Sequence, residues 1–357
     1  MSVCASFLVL FSLLTYGLIV VDNRIKTATV KNGVIDYSGT LGDLIGGVLN
    51  PVLALFGILA GGLAFYAQYN ANKLIQDQFK IQQFESQFYE MLRLHKENVN
   101  EMKISGYDYN NSISYNKKTG EEIITRNEVE RFVEGRKVFV SMVKELIACY
   151  EFCKLYDITN KYETQDLLEL SYRIFFFGSS SSLITSQKID TEFIRMIKDQ
   201  LKLIRNQHKE SVGGVNEFET QDPKKNIKLH IKYAPFTGHE NRLGHYYRHL
   251  YGLVKFVVNN EKNGLFSYLK SREYLKIVRG QMANDEQLML YYNYRIGFGG
   301  DWDYKGKSGN EYFTKYRVLH NLPIDKIRYA ESPRKHFENF IELIKNDNDP
   351  LFEWGDN

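Results

Sequence analysis

From Leu44 to Tyr69 the chain runs for 26 residues without a charged side chain. At about 1.5 Å rise per residue a helix of that length reaches roughly 39 Å, more than the roughly 30 Å hydrocarbon core of a bilayer. Inside a bilayer every backbone polar group must be satisfied within the segment, so such a run is restricted to helix. Pro51 predicts a kink or the point where the regular helix begins. Gly57 and Gly61 have the small-xxx-small spacing that lets two membrane helices approach closely, although tolerated flexibility accounts for them equally well. A second uncharged run, Cys4 to Val21, holds 18 residues. It lacks the basic start and small-residue cleavage site of a signal peptide, which predicts a second transmembrane helix. Residues 1–69 are therefore expected to form a two-helix membrane hairpin with spans at about 4–21 and 44–69. Residues 70–357 follow as a separate domain. The loop cations Arg24, Lys26 and Lys31 face Lys73 and Lys80 on the other side, a balance that fixes no orientation. The absence of a disulfide pattern among the three cysteines points the main domain toward the cytoplasm.

The remainder is rich in aromatics, with 25 Tyr and 23 Phe, and holds only 6 Pro in the whole chain. A formal charge of +3 gives no field strong enough to imply a nucleic-acid partner, and no DNA is expected. Apolar residues at helical spacing predict an all-α domain. One long helix covers Ala71 to Met102, with Phe84, Phe88, His95 and Val99 on its apolar face; a core helix fits this aromatic face better than a coiled coil. Ser105 to Thr125 reads as a polar loop. Helices are expected at Glu128–Leu155, Thr164–Phe177, Asp190–Asn206, Glu240–Asn259, Phe266–Met282, Asp285–Ile296 and Arg334–Lys345. Gln207 to Pro235 reads as irregular, with an extended piece at Lys228–Tyr233. Cys149 and Cys153 stand four apart on a helical pattern and are expected in the core.

The segment Gly238–Tyr251 carries the densest chemistry. Fourteen residues hold three His, two Arg and three Tyr. Leu243, Tyr247, Leu250, Val254 and Val257 keep helical spacing, so one face packs while the other presents imidazoles and guanidiniums, groups that bind anions or move protons near neutral pH. His239, His245 and Arg248 are candidate binding residues. Arg279 and Glu286 form a second polar set on the following helices, with Glu286 placed to pair with Arg242 or Arg248. His239 and His245 are six apart, which suits no metal motif, and the carboxylates show no two-metal clustering. No metal and no cofactor are expected. Gly297–Asp303 follows no strand, so it is no dinucleotide fingerprint and reads as an aromatic-anchored turn or a substrate-facing loop.

Three pieces taken in order resemble the AbiC-like family of bacterial membrane-anchored phage abortive infection proteins. They are Phe84–His95, Gly238–Tyr251, and Arg279-Gly280-Gln281 with Glu286–Asn293. The resemblance covers Leu44 to about Leu322. It implies a role in limiting phage infection by harming or halting the host, at the inner membrane, with the lipid bilayer as partner. It supplies no established reaction. Arg242 and His249 lie about 20° apart on a helical wheel, and the pair resembles the Arg-x4-6-His signature of HEPN ribonucleases. That resemblance implies metal-independent RNA cleavage, with His249 as general base or acid, Arg242 stabilising the phosphorane, and a site formed between protomers. Leu243 departs from the polar residue that usually follows the arginine. Three readings stand at this point: a ribonuclease site, a site sensing an anion, nucleotide or other phage-derived trigger, and a structural polar network. A further alternative is a non-enzymatic effector that oligomerises and perturbs the bilayer through Gly57 and Gly61.

Overall fold

A computed structural model describes residues 37–210, 215–218, 227–304, 309–346, 348–353 and 355, with isolated positions Ser12, Thr15, Tyr16, Ile19, Val20 and Asn23 before them. The chain divides into two compact units, Met1–Gln83 and Phe84–Asn357.

The first unit contains the start of helix α1, Tyr37–Glu101, with Pro51 inside it. Proline thus interrupts one backbone bond without ending the helix. Among the described residues one helix is long and apolar enough to cross a membrane, Leu49–Glu101, and none of its apolar window is buried within the protein. Its 53 residues would reach roughly 80 Å, so only the uncharged part up to Tyr69 matches a bilayer. Leu53, Ile58, Leu63 and Phe65 are all exposed there. The expected span at 4–21, and Cys4 with it, lies outside the described residues apart from the isolated positions. The two-helix hairpin is therefore reduced here to one candidate membrane helix.

The second unit is mostly helical, but two β-hairpins correct the all-α expectation. The first pairs β1, Lys103–Tyr115, with β2, Glu122–Glu134, antiparallel and in continuous register from Lys103↔Glu134 to Tyr115↔Glu122. It occupies the segment read as a polar loop and takes the first residues from the helix expected at Glu128. Ile113, Tyr115, Ile123 and Ile124 are exposed on it. Tyr107, Tyr109, Ile113 and Tyr115 alternate along β1, but the polar residues around them and the open surface of the ribbon leave no continuous apolar face to mark a strand. In β2 the spacing Val129, Phe132, Val133 imitates a helical stripe instead. The second hairpin joins β3, Val215–Phe218, to β4, Ile227–His230.

Helix α2, Lys137–Tyr156, is central and packs on α3, Thr164–Phe177, as well as on β4. Cys149 and Cys153 are free thiols buried within it, as their spacing predicts. Helix α4, Thr191–Glu210, is followed by the second hairpin, and then by α5, Glu240–Lys262, α6, Tyr268–Gly280, and α7, Asn284–Arg295. The helix expected at Arg334–Lys345 is broken into α8, Pro333–His336, and α9, Glu338–Leu343, with Phe337 between them and 4% exposed. From Phe84 onward α1 buries Phe84, Phe88, His95 and Val99, the face its spacing predicts.

Candidate functional site

Helix α5 buries Leu243, Tyr246, Tyr247, Leu250, Val254 and Val257. The two tyrosines are fastened by their hydroxyls: Tyr246 donates to Glu286 Oε2 at 2.9 Å and Tyr247 to the Met289 carbonyl at 3.1 Å. This anchoring against α7 fixes the rotation of α5 about its axis, and so decides where its cations and imidazoles point.

The entry to α5 is fixed as tightly. Glu145 on α2 is wholly buried and accepts three bonds from the segment before the helix. The Tyr233 hydroxyl donates at 2.7 Å, the Phe236 backbone N–H at 2.6 Å, and His239 Nε2 lies at 2.9 Å. Burial and the neighbouring carboxylate push the Tyr233 phenol well above its usual range. His239, a candidate binding residue, is therefore an interior clamp, 1% exposed. The same segment crosses the end of α3 with the His239 N–H bonded to the Phe176 carbonyl at 2.8 Å and the Ser179 N–H to that of Phe236 at 2.9 Å. Gly178 and Gly238 make the crossing possible. Both have positive φ, and a Cβ at Gly178 would stand 2.5 Å from the Thr237 carbonyl oxygen.

Arg242, His245 and His249 share one side of α5. Arg242 is half-buried and its Nε donates to the Lys103 carbonyl at 2.9 Å. With His245, Asn98, Glu101 and Lys103 it lines a cleft of about 330 Å³. His249 is half-buried, its ring 6.4 Å from that of His245 and stacked at 5.7 Å and 17° on His95 of α1. Burial, helped by the charge of His245, lowers the pKa of His249. Among the described residues its Nδ1 is buried without a hydrogen-bond partner, as are both ring nitrogens of His95. Burial pulls His95 down to about 4, with the charges of His249 and Arg136 acting the same way. Near neutral pH both rings are thus held as uncharged bases beside a cationic rim.

Glu286 is wholly buried but does not pair with Arg242 or Arg248. It accepts from Tyr246 and lies 3.5 Å from Arg136 Nε, and burial raises its pKa. Arg136 precedes α2 and is held by the Gln281 carbonyl at 2.5 Å, so it reaches Glu286 before either α5 arginine can. Arg279 donates to the Arg317 carbonyl at 3.2 Å. Arg248 is exposed, on a different cleft. Among the described residues no group of three or more His, Cys, Asp or Glu side chains could hold a metal ion. Of the predicted set, then, Arg242, His245 and His249 come together, while His239, Arg248, Arg279 and Glu286 do not join them. His95, Lys103, Arg136 and Glu145 were not singled out as site residues. Glu145 was nonetheless detectable, since it stands at a core position of the stripe Val138, Met142, Cys149, Phe152.

The buried imidazoles predict acid sensitivity. His208 is bonded to the Tyr107 hydroxyl, and burial lowers it, like His95, to about 4. Folding keeps these rings neutral where the unfolded rings already take up protons, so stability falls as pH drops from about 6.5 and levels off near 4. By pH 5 each ring costs about 2 kcal/mol relative to pH 7. Denaturant midpoints of the full chain should therefore fall between pH 7 and 5, and His95→Phe should make the fall smaller by about 2 kcal/mol; equal midpoints would contradict the assignment.

Comparison with known proteins finds no match among curated proteins and none among solved structures. A family match does exist, and it covers α5 to α7 and the Gly297–Asp303 turn, with Arg242 and His249 inside it and Phe84–His95 outside. Residues 238–327 match the family described as putative phage abortive infection protein.

Proposed function

We propose that this protein is an abortive-infection effector attached to the bacterial inner membrane, whose second unit cleaves RNA at the Arg242–His249 face. The observation that carries the reading is the convergence of Arg242, His245 and His249 on one side of α5, with His249 held neutral. A neutral imidazole can take the 2′-hydroxyl proton as that oxygen attacks phosphorus, and it returns a proton to the departing 5′ oxygen. Arg242 stabilises the charge that builds on the phosphorane. A second copy of the chain completes the groove. The anchor is a two-span hairpin, spans 4–21 and 44–69, with the second unit in the cytoplasm.

One observation favours a second reading, a membrane-perturbing effector without enzymatic activity. Gly57 and Gly61 keep the small-xxx-small spacing on the exposed apolar part of α1, which lets another helix approach closely. RNA integrity and membrane potential, followed side by side after phage challenge, separate the two. The ribonuclease reading expects fragmented RNA before the potential falls, with protection lost in His249→Ala and kept in Gly57→Leu with Gly61→Leu. Intact RNA with a collapsed potential sinks it.

A further inference from the structure

The first turns of α5 also face a second cleft, of about 590 Å³. We infer that this cleft binds a nucleoside phosphate, with the base against Phe298 and the phosphate on Arg248.

The cleft is walled by Phe176, Phe177 and Phe298 and edged by Glu240, Asn241 and Arg248, with Gly244 opening the helix surface between them. Its volume lies in the range of small-molecule sites. Phe298 is 38% exposed, a large apolar ring left partly in water. It stands edge-on to Phe176 and Phe177 at 5.5 and 5.8 Å, and the Arg173 guanidinium lies 5.1 Å from its centroid. A ring fixed in this way is a stacking platform, and stacking on an aromatic ring suits any base. Arg173 is already neutralised by Glu169 at 2.9 Å. Arg248 is not: it has neither ion pair nor hydrogen bond among the described residues. A guanidinium without an acid beside an open aromatic face is complementary to a phosphate carried by a base. Glu240 accepts from exocyclic amino groups, while Asn241 both donates and accepts, which gives the cleft means to read a base edge. The Gly178–Gly238 crossing holds the Phe176 and Phe177 backbone against the start of α5.

Asn241 lines both this cleft and the one holding Arg242 and His245. A strand passing over the first turn of α5 can place one base on Phe298 and a neighbouring phosphate at Arg242. The choice of a nucleotide over another aromatic anion rests on the RNA-cleavage reading. The site also gives a role to the turn at Gly297–Gly300, which that reading leaves unused.

The test is binding to the detergent-solubilised full chain, measured calorimetrically with AMP, GMP, CMP, UMP, inorganic phosphate and a short uncleavable 2′-O-methyl oligoribonucleotide. At least one mononucleotide should bind about tenfold more tightly than phosphate. Arg248→Glu and Phe298→Leu should each weaken it about tenfold, and Arg242→Ala by less than about twofold. Should Phe298→Leu disturb the turn, Arg248→Gln at its exposed position gives the same readout. An oligonucleotide about tenfold tighter than any mononucleotide assigns the cleft to a strand, and equal affinities assign it to a free nucleotide. Mononucleotides binding no better than phosphate, or indifferent to Arg248→Glu, overturn the inference. Nucleotide-specific binding in a protein that leaves RNA intact refutes the cleavage reading alone.

Discussion

Glu145→Ala should remove about 3 kcal/mol or more from the stability of the Phe84–Asn357 unit, because it leaves three buried donors without an acceptor. The carboxylate is wholly buried and accepts from Tyr233, Phe236 and His239 at 2.6–2.9 Å. Alanine leaves all three donors in the interior without water to replace the acceptor, and an unmade buried bond costs more than a made one contributes. Domains of this kind hold about 5–15 kcal/mol in total, so the variant loses a large share of its stability. Glu145→Gln keeps one acceptor oxygen and should cost about 1–3 kcal/mol. The readout is the denaturant midpoint at constant slope. A loss under about 1 kcal/mol for alanine would mean that the clamp does not hold the entry to α5.

Gly238→Ala is the second large effect. Gly238 has φ +97, and its Cβ would stand 2.8 to 2.9 Å from the carbonyl carbon and oxygen of Phe177 and the nitrogen of Gly178. All three are backbone atoms, so no side chain can rotate away. Left-handed strain and the forced separation of α3 from the start of α5 together should cost about 3 kcal/mol or more. Gly178→Ala meets the same crossing from the other side. Once either has opened it the other loses less, so the double variant should be less destabilised than the sum of the singles. Thermal unfolding of the three variants measures this, and full additivity would show that the crossing is not one unit.

What was legible in the sequence follows from what each element needs. Helix α3 lies at Thr164–Phe177, where its apolar spacing put it, and the buried face of α5 contains each of the five residues named for it. Both helices press one stripe into a core, so the period is written in residue types. The β1–β2 hairpin has no such obligation, being largely exposed, and polar residues disguised it. Between the sites the difference is one of partners. Arg242, His245 and His249 could be grouped because they repeat along one helix. His95 joins them from a helix about 150 positions earlier, and Arg136 takes Glu286 from the arginines expected to reach it. Such long-range pairings depend on packing, which spacing along the chain does not record. The family match begins at Gly238, the glycine of the crossing, and so takes in that glycine and α5 but leaves out Glu145, which clamps them.

We propose Arg242 and His249 as the groups that cut RNA. The direct measurement is end-group analysis of RNA from phage-challenged cells carrying the wild-type chain, Arg242→Ala or His249→Ala, with membrane-bound protein quantified alongside. Fragments ending in 2′,3′-cyclic phosphate are expected with the wild type. Each variant should reduce them about 100-fold or more at unchanged protein level. Intact RNA with the wild type, or the same fragments persisting in His249→Ala, would contradict the proposal.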